Sequence, residues 1–120
     1  MHRPQKLPDI VESIYDAGLD PSDVIEDALR RFPEDYAVRF LKARWLLGLN
    51  EAKTAIGLLD ELLSIDPDRL PPGAMAFDRR IFGSSARELK AAALVKLGDL
   101  AAAAALLRQA EKQAAATMPA

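Results

Sequence analysis

The sequence predicts an all-α protein built from three antiparallel helix pairs. Apolar residues recur at spacings of three and four through most of its 120 residues, which is the period of an amphipathic helix. Helix-ending residues fall between these stretches, at Gly18, Pro33, Pro67 and Gly98. The chain also repeats itself. Pro33 and Pro67 lie 34 residues apart, and that offset aligns Ile25 with Leu59, Ala28 with Leu62 and Leu29 with Leu63. An offset of 48 aligns Leu41-Lys42-Ala43 with Leu89-Lys90-Ala91, Leu46 with Leu94, Leu49 with Leu97, Ala55 with Ala103 and Leu59 with Leu107. The two offsets differ by 14 residues, an insertion that falls within the irregular segment at 66–83.

Residues 1–6 are expected to be disordered, ahead of a single domain over 7–116 and a tail at 117–120. The three pairs are predicted near 8–33, 36–67 and 84–115. The first helix opens near Pro8, carries Leu7, Ile10, Val11, Ile14 and Tyr15 on one stripe, and ends at Gly18. The second starts at Asp20-Pro21-Ser22-Asp23, with Asp20 as cap and Pro21 at the first helical position. Its stripe is Val24, Ile25, Ala28, Leu29 and Phe32; Arg30 and Arg31 suit the negative end of its dipole, and Pro33 closes it. The third helix presents Val38, Phe40, Leu41, Trp45, Leu46 and Leu49. Asn50 is placed to cap the fourth, whose apolar residues run from Ala52 through Leu59 to Ile65 before Asp66-Pro67 stops it.

The inserted segment 66–83 is rich in proline and glycine, yet Leu70, Met75, Phe77, Ile81 and Phe82 are apolar. It is expected to pack over the helices, with a short turn near 76–81. Ser84 or Ser85 then caps the fifth helix, with Glu88 completing a capping box. After Gly98-Asp99 the sixth helix carries the stripe Leu100, Ala103, Ala104, Leu107, Ala110 and Ala114, opposite a solvated face of Arg108, Gln109, Lys112 and Gln113.

Composition narrows the function. The net charge of −2 supplies no field that would draw the chain to nucleic acid or a membrane surface. There is no cysteine, so disulfides, thiolate nucleophiles and zinc–sulfur sites are excluded. The one histidine is His2, near the terminus, so a serine has no histidine base in the body of the domain. No glycine-rich phosphate loop is present, and no apolar run approaches the ~20 residues of a membrane span. A non-enzymatic, cytoplasmic domain without metal or cofactor is the expectation.

On the residues Ala43, Asn50, Ala55 and Pro67, and again Ala91, Gly98-Asp99, Ala103 and Ala110, the chain resembles the tetratricopeptide repeat family. That family places small residues where its paired helices cross, a Gly/Asp-rich turn between them and a proline at the end. The first pair matches through Ala28 and Pro33, with its turn out of register. The resemblance implies a short right-handed α-solenoid whose first helices line a concave, partner-binding face. By position that face would use Ala37, Phe40, Arg44 and Leu47 in the second repeat, and Ser85, Glu88, Ala92, Val95 and Lys96 in the third. Phe40 and Leu47 beside Arg44 would suit a peptide or partner helix, the arginine pairing with an acidic group. These residues do not reproduce the carboxylate clamp of some family members, so that activity is not expected. The stretch from Phe77 to Leu107 also resembles helical-repeat regions attached to some bacterial glycosyltransferases, implying an alternative role as a substrate-positioning accessory domain.

Other features have plainer readings. Trp45, the sole tryptophan, is expected to anchor the core. Asp66-Pro67-Asp68 has the spacing of a metal–nucleotide motif but reads as turn chemistry. Arg79 and Arg80 beside Asp78 would contact phosphate or an acidic partner, or form a solvated turn. The alanine-rich last helix offers a third role, homo-oligomerisation.

Overall fold

The computed structural model describes residues 7–70 and 78–117, and within them every regular element is helical. The helices are α1 (Leu7–Asp16), α2 (Ser22–Arg31), α3 (Tyr36–Gly48), α4 (Ala52–Leu63), α5 (Ser84–Lys96) and α6 (Leu100–Thr117). Two 3-10 turns, Pro67–Arg69 and Arg79–Phe82, lie between α4 and α5. The expectations for 1–6, for Met75 and Phe77, and for residues 118–120 fall outside the described residues. No described helix is long and apolar enough to cross a membrane.

The three hairpin turns close in one way. In each, a residue with positive φ follows the first helix: Gly18 at 76°, Asn50 at 63° and Gly98 at 84°. Its N–H donates three residues back, to the carbonyls of Tyr15 (3.0 Å), Leu47 (3.1 Å) and Val95 (3.0 Å). The next N–H donates five back, from Leu19 to Ile14 (3.1 Å), Glu51 to Leu46 (3.0 Å) and Asp99 to Leu94 (2.9 Å). This pairing satisfies the last helical carbonyls and reverses the chain. It also corrects the assignment of Asn50. That residue ends α3, where asparagine tolerates the left-handed region, and α4 begins without a side-chain cap.

Other helix starts differ in detail. Asp20 accepts from the Ser22 N–H at 2.9 Å, but Pro21 is the flanking residue and Ser22 the first helical one. Asp35, buried, accepts from Val38 N–H at 3.2 Å and caps α3. Neither Ser84 nor Ser85 caps α5. Gly83 carries the chain straight from the 3-10 turn into that helix, and its carbonyl accepts the Arg87 N–H at 3.0 Å.

Two cores result. The larger gathers Ala43, Leu46, Leu47, Ala52, Ala55, Leu59, Leu62, Ile81, Phe82, Ala86 and Ala93 from α3, α4, α5 and the second 3-10 turn. The inserted segment thus contributes Ile81 and Phe82, and Leu70 packs against the same core. Phe82 meets Tyr36 edge-on, with ring centroids 5.4 Å apart. The smaller core joins Val11, Ile25, Ala28 and Val38, and the half-buried Trp45 packs against both. Phe32, expected inside, is exposed.

The sixth helix is rotated from its predicted stripe. Ala103 is buried and Ala102 and Leu106 are partly covered, while Leu100, Ala104 and Leu107 are exposed. A run as uniformly apolar as Leu-Ala-Ala-Ala-Ala-Ala-Leu-Leu leaves rotation to be set by packing on α5. Ala110 and Ala114 lie outside the described side chains. The radius of gyration is 15.1 Å, against about 14 Å for a compact domain of this length, so the molecule is elongated.

Candidate functional site

The odd-numbered helices touch in series, α1 on α3 and α3 on α5. Polar side chains tie this row together. Arg44 on α3 reaches the Glu12 carboxylate on α1 at 3.8 Å and lies over the Tyr15 ring, 5.2 Å from its centroid. Lys96 on α5 donates to the Leu47 carbonyl at 3.2 Å and to Asn50 Oδ1 at 3.3 Å. These bonds employ three of the residues singled out in the sequence. Leu47 is buried, Arg44 links α1 to α3, and Lys96 links α3 to α5.

The remaining candidates are dispersed. Phe40 is half-buried against the larger core. Glu88, Ala92 and Val95 are exposed at spacings of four and three, which puts them on one stripe of α5. Ala37 and Ser85 are partly covered. Arg79 pairs with Asp68, and Arg80 grips Asp78 through Nε at 3.1 Å and Nη2 at 2.8 Å. The hydrogen bond from Arg80 holds the Asp78 carboxyl below its ordinary range, and Asp78 in turn raises Arg80. Asp66 accepts from Asp68 N–H at 3.0 Å, so the Asp-Pro-Asp element is built as a turn cap. No group of three or more His, Cys, Asp or Glu side chains gathers among the described residues in a way that would hold a metal ion.

Where α1 and α3 end, their turns leave an open cleft of about 220 Å³ lined by Tyr15, Gly18, Leu19, Trp45, Gly48 and Leu49. Its origin is local. Gly18 and Asn50 reverse the chain at neighbouring points and expose Leu19 (64%) and Leu49 (52%) at the cleft. Gly48 faces the Tyr15 hydroxyl, and a Cβ there would stand 3.4 Å from it, in ordinary contact. Arg44 shields one face of the same tyrosine. The cleft can therefore desolvate an apolar side chain against Tyr15 and Trp45. Arg44 stands beside it in a long, solvent-exposed ion pair that another carboxylate can replace at little cost.

No helix-face pattern in the sequence marks this cleft. Leu19 sits between Gly18 and Asp20, where no helix face claims it, and an apolar residue stranded in a turn was the available signal. The chain matches no protein-family model, no curated protein and no solved structure.

Proposed function

We propose that the chain is a non-enzymatic interaction domain, a short right-handed solenoid of tetratricopeptide type that binds a protein or peptide along the row α1, α3 and α5. The repeated turn closure and the serial contact of the odd helices support the architecture. The observation that carries the binding role is the open apolar cleft between α1 and α3, walled by Tyr15 and Trp45 and bordered by exposed leucines. Interfaces draw most of their energy from a few aromatic and arginine anchors around a desolvated pocket. The ligand chemistry that fits is a peptide presenting an apolar side chain to the cleft and a carboxylate to Arg44.

The test uses Leu19→Asp/Leu49→Asp, which charges the cleft without touching the buried core. Affinity capture from the source organism should recover a partner with the wild type and lose it with this variant. A peptide from that partner should change the emission of Trp45, the sole tryptophan. Equal capture by both proteins, with no change in Trp45 emission, would refute the cleft as the site.

A further inference from the structure

The row of odd helices has two junctions, α1 with α3 and α3 with α5, and one register serves both. Each of these helices ends at a residue of positive φ, namely Gly18, Asn50 and Gly98. Two residues before that point stand Gly48 on α3 and Lys96 on α5, which are also matched by the sequence offset of 48. Three residues before it stand Tyr15 on α1 and Leu47 on α3, whose carbonyls accept the turn N–H. In the second junction, Lys96 Nζ reaches across to the Leu47 carbonyl at 3.2 Å and to Asn50 Oδ1 at 3.3 Å. In the first, the matched residues Gly48, Tyr15 and Gly18 come together again, and there they line the cleft.

The contacts recur, but the chemistry does not. Between α3 and α5 an ammonium lies at the carboxyl end of α3, where the helix dipole favours a cation. It finds two acceptors, a last-turn carbonyl and an asparagine side chain. Between α1 and α3 both matched positions hold glycine. Gly48 sends no donor across, and Gly18 offers no side-chain acceptor. Close packing does not demand either glycine. A Cβ on Gly18 would meet nothing within 4 Å, and one on Gly48 would make ordinary contact with the Tyr15 hydroxyl. Asn50 shows that asparagine accepts the positive φ of such a turn. Gly48 is helical, where glycine is a poor choice on propensity. What the two glycines do supply is room in front of Tyr15 and Trp45.

We propose that Gly18 and Gly48 keep the α1–α3 cleft open, standing where the Asn50 and Lys96 side chains latch the α3–α5 junction. They thereby determine which junction of the row admits a ligand. The inference deepens the peptide-binding reading and rests on it for its biological use, while the opening itself is measured without a ligand.

Gly18→Asn/Gly48→Lys transplants the latch, and acrylamide quenching of Trp45, the sole tryptophan and a wall of the cleft, reports access. The variant should lose about half of the quenching constant, because the lysine stem lies across the apolar opening. Amide exchange in α1 should slow about fivefold, the worth of one hydrogen bond to the Tyr15 carbonyl. Gly48→Lys alone, which leaves the Gly18 turn untouched, should shift both readouts the same way, and circular dichroism should show helicity kept in each. Gly48→Ala should quench as the wild type does. Unchanged quenching in both lysine variants overturns the proposal. So does an equal loss in Gly48→Ala, or a fall in quenching without added protection of α1. A variant closed to acrylamide that still captures the wild type's partner refutes the cleft as the binding site and leaves the role of the glycines standing.

Discussion

The first and central pairs turn by the same hydrogen bonds and pack differently. In α3–α4 the fully buried Ala43 and Ala55 belong to one continuous core, and the two helices pack closely on each other. The first pair carries Val11 and Ile25 in its core, and α1 and α2 lean more on α3 than on one another. Turn chemistry fixes the reversal of a helix pair; the size of the side chains between the helices fixes how closely they meet. The outcome is a central unit with its own core and a first pair that depends on it, joined at Trp45.

That dependence can be broken at several points. Leu59→Ala removes a fully buried side chain from the larger core and should destabilise the whole molecule by about 4 kcal/mol, in one transition by denaturant titration. Trp45→Ala should cost about 3 kcal/mol, and its signature is spatial. Amide exchange should rise in α1 and α2 well before α4 and α5. Uniform loss of protection across all helices would show that the two cores form one cooperative unit. Ala43→Leu overfills a crossing with no free space and should cost about 1–3 kcal/mol by thermal unfolding.

Asp35 provides a smaller test at the start of α3. Burial raises its carboxyl pKa above the ordinary value of 3.8, opposed by the hydrogen bonds from Val38 and Ala37 N–H. The folded state therefore holds that proton more tightly than the unfolded chain. The resulting stability is full below the ordinary value and is lost as pH rises through the raised pKa. Asp35→Asn keeps an acceptor for the helix and has no charge to bury, so its advantage over wild type should grow from pH 4 toward neutrality, measured by denaturant titration. Asp35→Ala loses the cap and should cost about 1 kcal/mol. Asp20 and Asp78 act in the opposite sense. Hydrogen bonds from Ser22 and Arg80 lower their pKa values, so their contributions hold at neutral pH and fade on acidification. Arg44→Gln gives the smallest effect, within about 0.5 kcal/mol, because its pair with Glu12 is long and exposed.

The local chemistry of the chain was legible in its sequence. Six helical segments, the breaks at Gly18, Pro33, Pro67 and Gly98, and the inward positions of Val11, Ile25, Val38, Leu59 and Leu62 follow from period, propensity and turn residues. The apolar character of Ile81 and Phe82 announced that this end of the inserted segment would be buried. Tertiary contact decided the rest. Asn50 carries both cap-forming and left-handed potential, and only the path out of α3 selected the second. The apolar run of α6 is almost rotation-blind, so packing on α5 chose which alanines went inside and which leucines stayed out. Arg44 and Lys96 were expected on a partner-binding face and instead link helices far apart in sequence. The cleft at Tyr15 and Trp45 exists only because two turns 32 residues apart arrive side by side. Periodicity records which faces of a helix are apolar; it carries no record of which other segment will meet them.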